Sequence, residues 1–113
     1  MAKVIITKFL ENEVDRVFKK ESVKIIELMK SLEENPKKGK YVGQVGGVVI
    51  KELKYEKYRF YFITDGFKLK ILDVSELRDL LIKFVRMSDK KNQQKVIDEI
   101  KKVLRSLGKE GFD

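Results

Sequence analysis

The sequence predicts an α+β fold: a small antiparallel sheet of four to five strands, with an N-terminal helix or helical hairpin and a C-terminal helix. Three observations predict it. Apolar residues recur at helical spacing from Val14 to Leu32 and again from Val96 to Leu107. Between them, Val48 to Met87 is rich in β-branched and aromatic residues that alternate with polar ones. Turn and stop residues, Asn35-Pro36, Asp65-Gly66 and Gly108, fall between these stretches or at their ends.

In chain order, Val4 to Phe9 is a short β-branched run and reads as the first strand. Asn12 is a helix cap in this reading, with Glu13 and Asp15 in the first turn, where a helix dipole favours negative charge. Val14, Val17, Phe18, Ile25, Leu28, Met29 and Leu32 form one apolar stripe, with a break expected at Glu21-Ser22. Pro36 ends it, because the residue before a proline is pushed out of helical geometry. Lys37 to Gly47 reads as a basic, glycine-rich loop entering a sheet. Val48 to Tyr55 and Tyr58 to Thr64 are strands around a tight Glu56-Lys57 turn. Asp65-Gly66 is a hairpin signal, with Phe67 to Val74 as the next strand. Ser75 to Asp79 is a polar link and Leu80 to Met87 the last strand. Ser88 or Asp89 caps the final helix, Val96, Ile97, Ile100, Val103, Leu104 and Leu107 form its stripe, and Gly108 stops it. Residues 109–113 read as a frayed tail. The helices are expected to cover one face of the sheet.

Composition narrows the chemistry. The 113 residues suit a single domain, residues 1–113, and 42% hydrophobic content is enough for a core. There is no cysteine and no histidine. Disulfides, thiolate or imidazole metal sites and histidine-activated nucleophiles are therefore excluded. Catalysis would have to use Lys, Arg, Tyr, Glu, Asp, Ser or Thr. Twenty-six Lys and Arg against eighteen Asp and Glu leave a formal charge of +8, which suits a polyanionic partner, either nucleic acid or an acidic protein. A Lys/Glu-rich surface suited to solubility or heat is the alternative. The apolar run at the start is too short for a signal peptide, and no stretch approaches the roughly 18 apolar residues of a membrane span. A soluble, cytoplasmic protein with no membrane partner is expected.

Strand alternation sorts the candidate site. Tyr58, Phe60 and Phe62 form one side of their strand, suited to packing under helices, and Arg59, Tyr61 and Ile63 the other. With the aromatic side in the core, Arg59 and Tyr61 lie on an open sheet face with Glu52 and Lys54. Arg86 on the last strand would complete the cluster, followed by Lys90 and Lys91. Such a set can cleave RNA through its 2′-hydroxyl: Glu52 or Lys54 as proton acceptor, Arg59 and Arg86 on the phosphate oxygens, Tyr61 stacking on a base or donating a proton. Lys51, Lys57, Lys83, Lys90 and Lys91 are the candidate RNA-binding cations. The competing reading makes Glu52, Lys54 and Arg59 ordinary cross-strand ion pairs. Gly43 to Gly47 lacks the following helix and the Gly-Lys-Ser/Thr ending of a phosphate loop. Asp65, Asp73, Glu76 and Asp79 read as acids of surface turns, and no metal or other cofactor is expected.

Three stretches, Ser31 to Pro36 with the basic loop after it, Lys51 to Phe62, and Leu80 to Ile100, together resemble the RelE/ParE toxin superfamily, in particular its HigB-like, phage-derived branch. Ser31-Leu32-Glu33-Glu34-Asn35-Pro36 before a glycine-rich basic loop is similar to the helix end of these toxins. Lys51-Glu52-Leu53-Lys54, then Tyr58-Arg59-Phe60-Tyr61-Phe62, resembles their paired central strands. Leu80 to Lys91, running into Val96 to Ile100, resembles the strand, turn and helix that end the HigB-like branch. The likeness spans about residues 3 to 107. It implies a RelE-like fold and the toxin of a type II toxin–antitoxin system, a ribosome-dependent mRNA endoribonuclease that inhibits translation without a metal. Its implied partners are an acidic antitoxin, mRNA and the ribosome, and operator DNA through the antitoxin. Arg59 matches the arginine after the central-strand tyrosine, Glu52 and Lys54 the Glu-Leu-Arg/Lys segment, and Arg86, Lys90 and Lys91 the basic turn. The chain departs from RelE itself where two strand lysines are replaced by Ile50 and Glu52, and its final helix has no tyrosine. A ParE-like inhibitor of DNA gyrase, or an inactive binding protein of the same fold, are the alternatives.

Overall fold

A computed structural model describes all residues, Met1 to Asp113. Strand β1 (Lys3–Ile6) leads into α1 (Lys8–Phe18), and α2 (Ser22–Lys30) follows. Thr7 caps α1, its Oγ1 accepting from the Leu10 N–H at 3.3 Å. The cap therefore lies before Asn12, which falls inside the helix. The two helices part at Lys19, which adopts a left-handed backbone with φ 51°. After the proline come β2 (Lys40–Val45), β3 (Val48–Tyr55) and β4 (Tyr58–Asp65).

The segment predicted as a strand from Phe67 to Val74 is instead a short helix, α3 (Gly66–Ile71), followed by a single 3₁₀ turn at Val74–Glu76. The Asp65 carboxylate accepts from the N–H groups of Phe67 and Lys68 at 3.0 and 3.1 Å, so Asp65-Gly66 starts a helix rather than a hairpin. Both edges of β4 are already taken by β3 and β5 (Leu81–Asp89), which leaves no neighbouring place for another strand. Ser88 and Asp89 belong to β5. The last helix, α4 (Gln93–Leu107), begins after a turn in which Asp89 accepts from Asn92. Gly108, at φ 72°, ends it.

The sheet order is β1-β5-β4-β3-β2. Its pairings are antiparallel except for β1 and β5, which run parallel. The fold is thus α+β with a five-stranded mixed sheet. On one face, α1 and α2 pack Leu10, Val14, Ile25 and Met29 onto Leu53, Phe60, Phe62, Ile82 and Phe84. Phe18 meets Tyr58 edge-on at the border of this core, with ring centroids 4.9 Å apart.

The second face is covered as well. Ile97, Ile100 and Leu104 of α4 bury Ile50, Tyr61, Ile63 and Val85. The expectation that helices cover one face is therefore corrected: α4 takes the opposite face from α1 and α2. The tail is also fixed rather than frayed. Phe112 is 4% exposed in the α4-side core, and the Asp113 carbonyl accepts from the Phe9 N–H at 3.2 Å. No helix is long and apolar enough to cross a membrane.

Candidate nucleic-acid interface

The tight turn at Glu56-Lys57 sets the register of β3 against β4, with Glu52 opposite Tyr61 and Lys54 opposite Arg59. On the outer side, Lys40 of β2 lies opposite Glu52. On the inner side, Ser88 lies opposite Arg59. Lys40, Glu52, Lys54, Arg59, Tyr61 and Ser88 thus share the α4 face at the end of the sheet bearing this turn.

At this end of the sheet a cleft of about 390 Å³ is lined by Lys38, Lys40, Lys54, Glu52 and Arg59, and from the α2 side by Leu28, Gly39 and Leu53. Gly39 is needed for its shape. It has φ 106°, and a Cβ there would lie 2.8 Å from Cζ of Phe62. Glu52 and Arg59 form the wall. Arg59 Nε stands 3.4 Å from Glu52 Oε2, with only 9% and 8% of the two side chains exposed. Arg59 Nη1 donates to the Tyr58 carbonyl at 3.2 Å. No buried side-chain nitrogen or oxygen lacks a partner. The Glu52 oxygens and Arg59 Nη2 make no hydrogen bond and so keep some contact with solvent, and both residues line the cleft. A carboxylate and a guanidinium are held side by side, each with free capacity, beneath three exposed lysines.

The other predicted residues separate from this cleft. Tyr61 is completely buried, and its hydroxyl lies 2.8 Å from Ser88 Oγ. Burial pushes the phenol above its ordinary pKa, and the nearby Glu52 carboxylate adds to the rise. Under α4 it can neither stack on a base nor pass a proton to the cleft. Arg86 is also corrected. Its Nε is 3.3 Å from Glu99 of α4, its Nη1 donates to the Val85 carbonyl, and its guanidinium lies 4.3 and 5.2 Å from the rings of Phe9 and Phe112. Arg86 clamps the tail between α1 and α4, and it shares none of these neighbours with Arg59. The two arginines do not meet on one uncovered face.

Of the proposed RNA-binding lysines, Lys57, Lys90 and Lys91 are exposed in the two turns at the cleft's end of the sheet, where Tyr58 pairs with Asp89. Lys83 holds the tail, its Nζ donating to the Lys109 carbonyl at 3.1 Å. Lys51, opposite Phe62, faces the α1 and α2 side, away from the cleft. Sequence reasoning missed Lys38 and Lys40. The lysine-rich run from Lys37 to Lys40 was the available signal, but the register placing Lys40 against Glu52 follows only from the fold. No group of three or more acidic side chains is placed to hold a metal ion. Asp65 is occupied as a helix cap, and Asp73 and Glu76 form a reciprocal cap of their own turn. Comparison with protein-family models, curated proteins and solved structures finds no match, so the case for function rests on this geometry.

Proposed function

We propose that this chain is the toxin of a type II toxin–antitoxin pair that cuts mRNA on the ribosome, with the Glu52–Arg59 cleft as its cutting site. The observation carrying this reading is a nearly buried carboxylate–guanidinium pair with unused hydrogen-bonding capacity, open to a cleft ringed by Lys38, Lys40 and Lys54. In the proposed reaction Glu52 takes the proton of a ribose 2′-hydroxyl, and the freed oxygen attacks the adjacent phosphorus. The P–O5′ bond breaks, leaving a 2′,3′-cyclic phosphate and a 5′-hydroxyl. Arg59 and Lys54 balance the charge that builds on the phosphorane oxygens, and a lysine ammonium, from Lys40 or Lys54, protonates the departing oxygen. Lys57, Lys90 and Lys91 extend the positive surface along the strand. The formal charge of +8 also suits an acidic antitoxin as inhibitor.

The test is induced expression with mapping of RNA ends, repeated with purified protein on translating ribosomes. Cuts carrying cyclic phosphates, abolished by Glu52→Gln in a folded protein, support the reading. Broken DNA with intact transcripts would identify a gyrase poison instead. Cutting that survives Glu52→Gln unchanged would remove Glu52 from the mechanism.

A further inference from the structure

A second hollow lies on the α1 and α2 side of the sheet, between the β2–β3 hairpin and α3, and shares no lining residue with the cleft. It has a volume of about 510 Å³, within the usual range for ligand pockets of about 300–1,000 Å³. Its charge is one-sided: Lys37, Lys51 and Lys70 line it and no acidic residue does. Lys51 is only 7% exposed, and no carboxylate pairs with it. Its Nζ has one acceptor, the Lys37 carbonyl at 2.9 Å, for three donor hydrogens. Burial lowers its pKa, the consequence of an ammonium taken from water without a counter-charge.

The mouth is aromatic. Tyr41 and Phe67 stand 55% and 71% exposed at its rim. Hydrogen bonds hold the Tyr41 hydroxyl and the Phe67 backbone. The Tyr41 hydroxyl donates to Gln44 Oε1 at 2.9 Å, and Gln44 Nε2 donates to the Gly46 carbonyl. Phe67 sits on the Asp65 cap of α3, which the Gly66 N–H ties to the Gly47 carbonyl at 2.8 Å. Gly66 is required for that approach, since a Cβ there would lie 2.6 Å from Val49 Cγ1. A buried cation with unused donors, two further lysines and two exposed rings match a ligand that is anionic at one end and flat and apolar at the other.

We propose that this hollow binds a nucleoside monophosphate unit, its phosphate on Lys51 with Lys37 and Lys70, and its base against Phe67 and Tyr41. The unit is either a free nucleotide or one residue of an RNA strand, and the site is separate from the cutting cleft.

The test is a titration followed by amide NMR shifts, using adenosine and uridine 5′-monophosphates, inorganic phosphate and a 2′-O-methyl pentanucleotide that cannot be cut. Nucleotides are expected to shift resonances around Tyr41, Lys51 and Phe67. Phe67→Ala and Lys51→Met are each expected to weaken binding about tenfold. Lys70→Gln and Phe67→Ala, both at exposed positions, carry the test if Lys51→Met does not fold. Glu52→Gln, across the sheet, leaves this binding as it was, so failure here and failure of the cleavage reading are distinguishable. Tighter binding of the pentanucleotide assigns the unit to RNA, and equal binding assigns it to a free nucleotide. Absence of shifts at these residues, inorganic phosphate binding as tightly as the nucleotides, or variants that titrate like the native chain would each overturn the proposal.

Discussion

Replacing Tyr61 with phenylalanine separates the structural role assigned to this side chain from a chemical one. The ring stays in its core position, and only the hydroxyl 2.8 Å from Ser88 Oγ is lost. Ser88 is 6% exposed, so its own hydroxyl is left without its partner away from water. Such an orphan costs about 1–3 kcal/mol. For a small domain, each kcal/mol moves the melting temperature by about 4–8 °C, so a fall of about 4–24 °C is expected. Ser88→Ala orphans the tyrosine hydroxyl and costs a similar amount. The double variant Tyr61→Phe/Ser88→Ala removes both groups and is expected to cost less than the sum, with a coupling of about 1–2 kcal/mol. Urea unfolding followed by circular dichroism measures all four corners of this cycle. Because burial raises the phenol pKa, the folded chain keeps a proton that the unfolded chain releases at alkaline pH. Stability therefore falls as pH rises through and beyond the ordinary tyrosine range, and Tyr61→Phe flattens that slope. Tyr55, whose pKa is raised by burial and by Glu21 and Glu56, acts in the same direction and remains in the variant. Additive single losses would refute the buried pair. Loss of RNA cutting at unchanged stability would restore Tyr61 to the chemistry.

Gly39→Ala forces a side chain onto a backbone at φ 106° and against Phe62, and is expected to cost about 1–3 kcal/mol in strain plus a similar overpacking penalty. A shift of the urea midpoint reports it, and an unshifted midpoint would contradict the described approach of the Lys38–Lys40 segment. Arg86→Met should leave RNA cutting at its native level while loosening the tail, read as faster hydrogen exchange at the Phe9 amide that bonds the Asp113 carbonyl. Arg59→Met leaves the Glu52 carboxylate buried without its counter-ion, at a cost on the order of 3–5 kcal/mol in thermal or urea unfolding. The Asn92 side-chain amide and N–H hold the Asp89 carboxyl below its ordinary pKa. That stabilisation is present above the carboxylate range and lost as pH falls through the lowered pKa. Melting curves should accordingly show Asp89→Ala less stable than the native chain at neutral pH, with the gap closing in acid.

Much of the sheet was legible because local signals agreed. Alternation from Val48, the short turn at Glu56-Lys57 and the run from Tyr58 set both strands and their register, which is enough to bring Glu52 and Arg59 together. Phe67, Leu69 and Ile71 misled, since their alternation imitates a strand while the Asp65 cap starts a helix. The apolar stripe of α4 revealed an amphipathic helix but not the face it covers. The signal for that face lay in β4, where Phe60-Tyr61-Phe62-Ile63 is continuously apolar, as befits a strand buried on both sides. Lys40 and Arg86 were beyond reach for a related reason. Each lies close to an irregularity, at Val42 in β2 and Val85 in β5, where pairing shifts by one residue and simple alternation no longer assigns direction.

The parallel pairing of β1 with β5 has a consequence for how the molecule is made. β5 comes last of the strands along the chain, yet it is an interior strand, seated between β1 and β4. During synthesis the β2–β3–β4 meander can zip as soon as it emerges, whereas Lys3 to Ile6, held on one side by Lys30 and Glu33, must wait for residues 81–84 before finding a partner strand. Until then two bare edges coexist on one nascent chain, β1 and the free side of β4, each able to pair with a neighbour instead. Insertion of β5 closes both at once, and fragments ending before Leu81 should precipitate rather than fold.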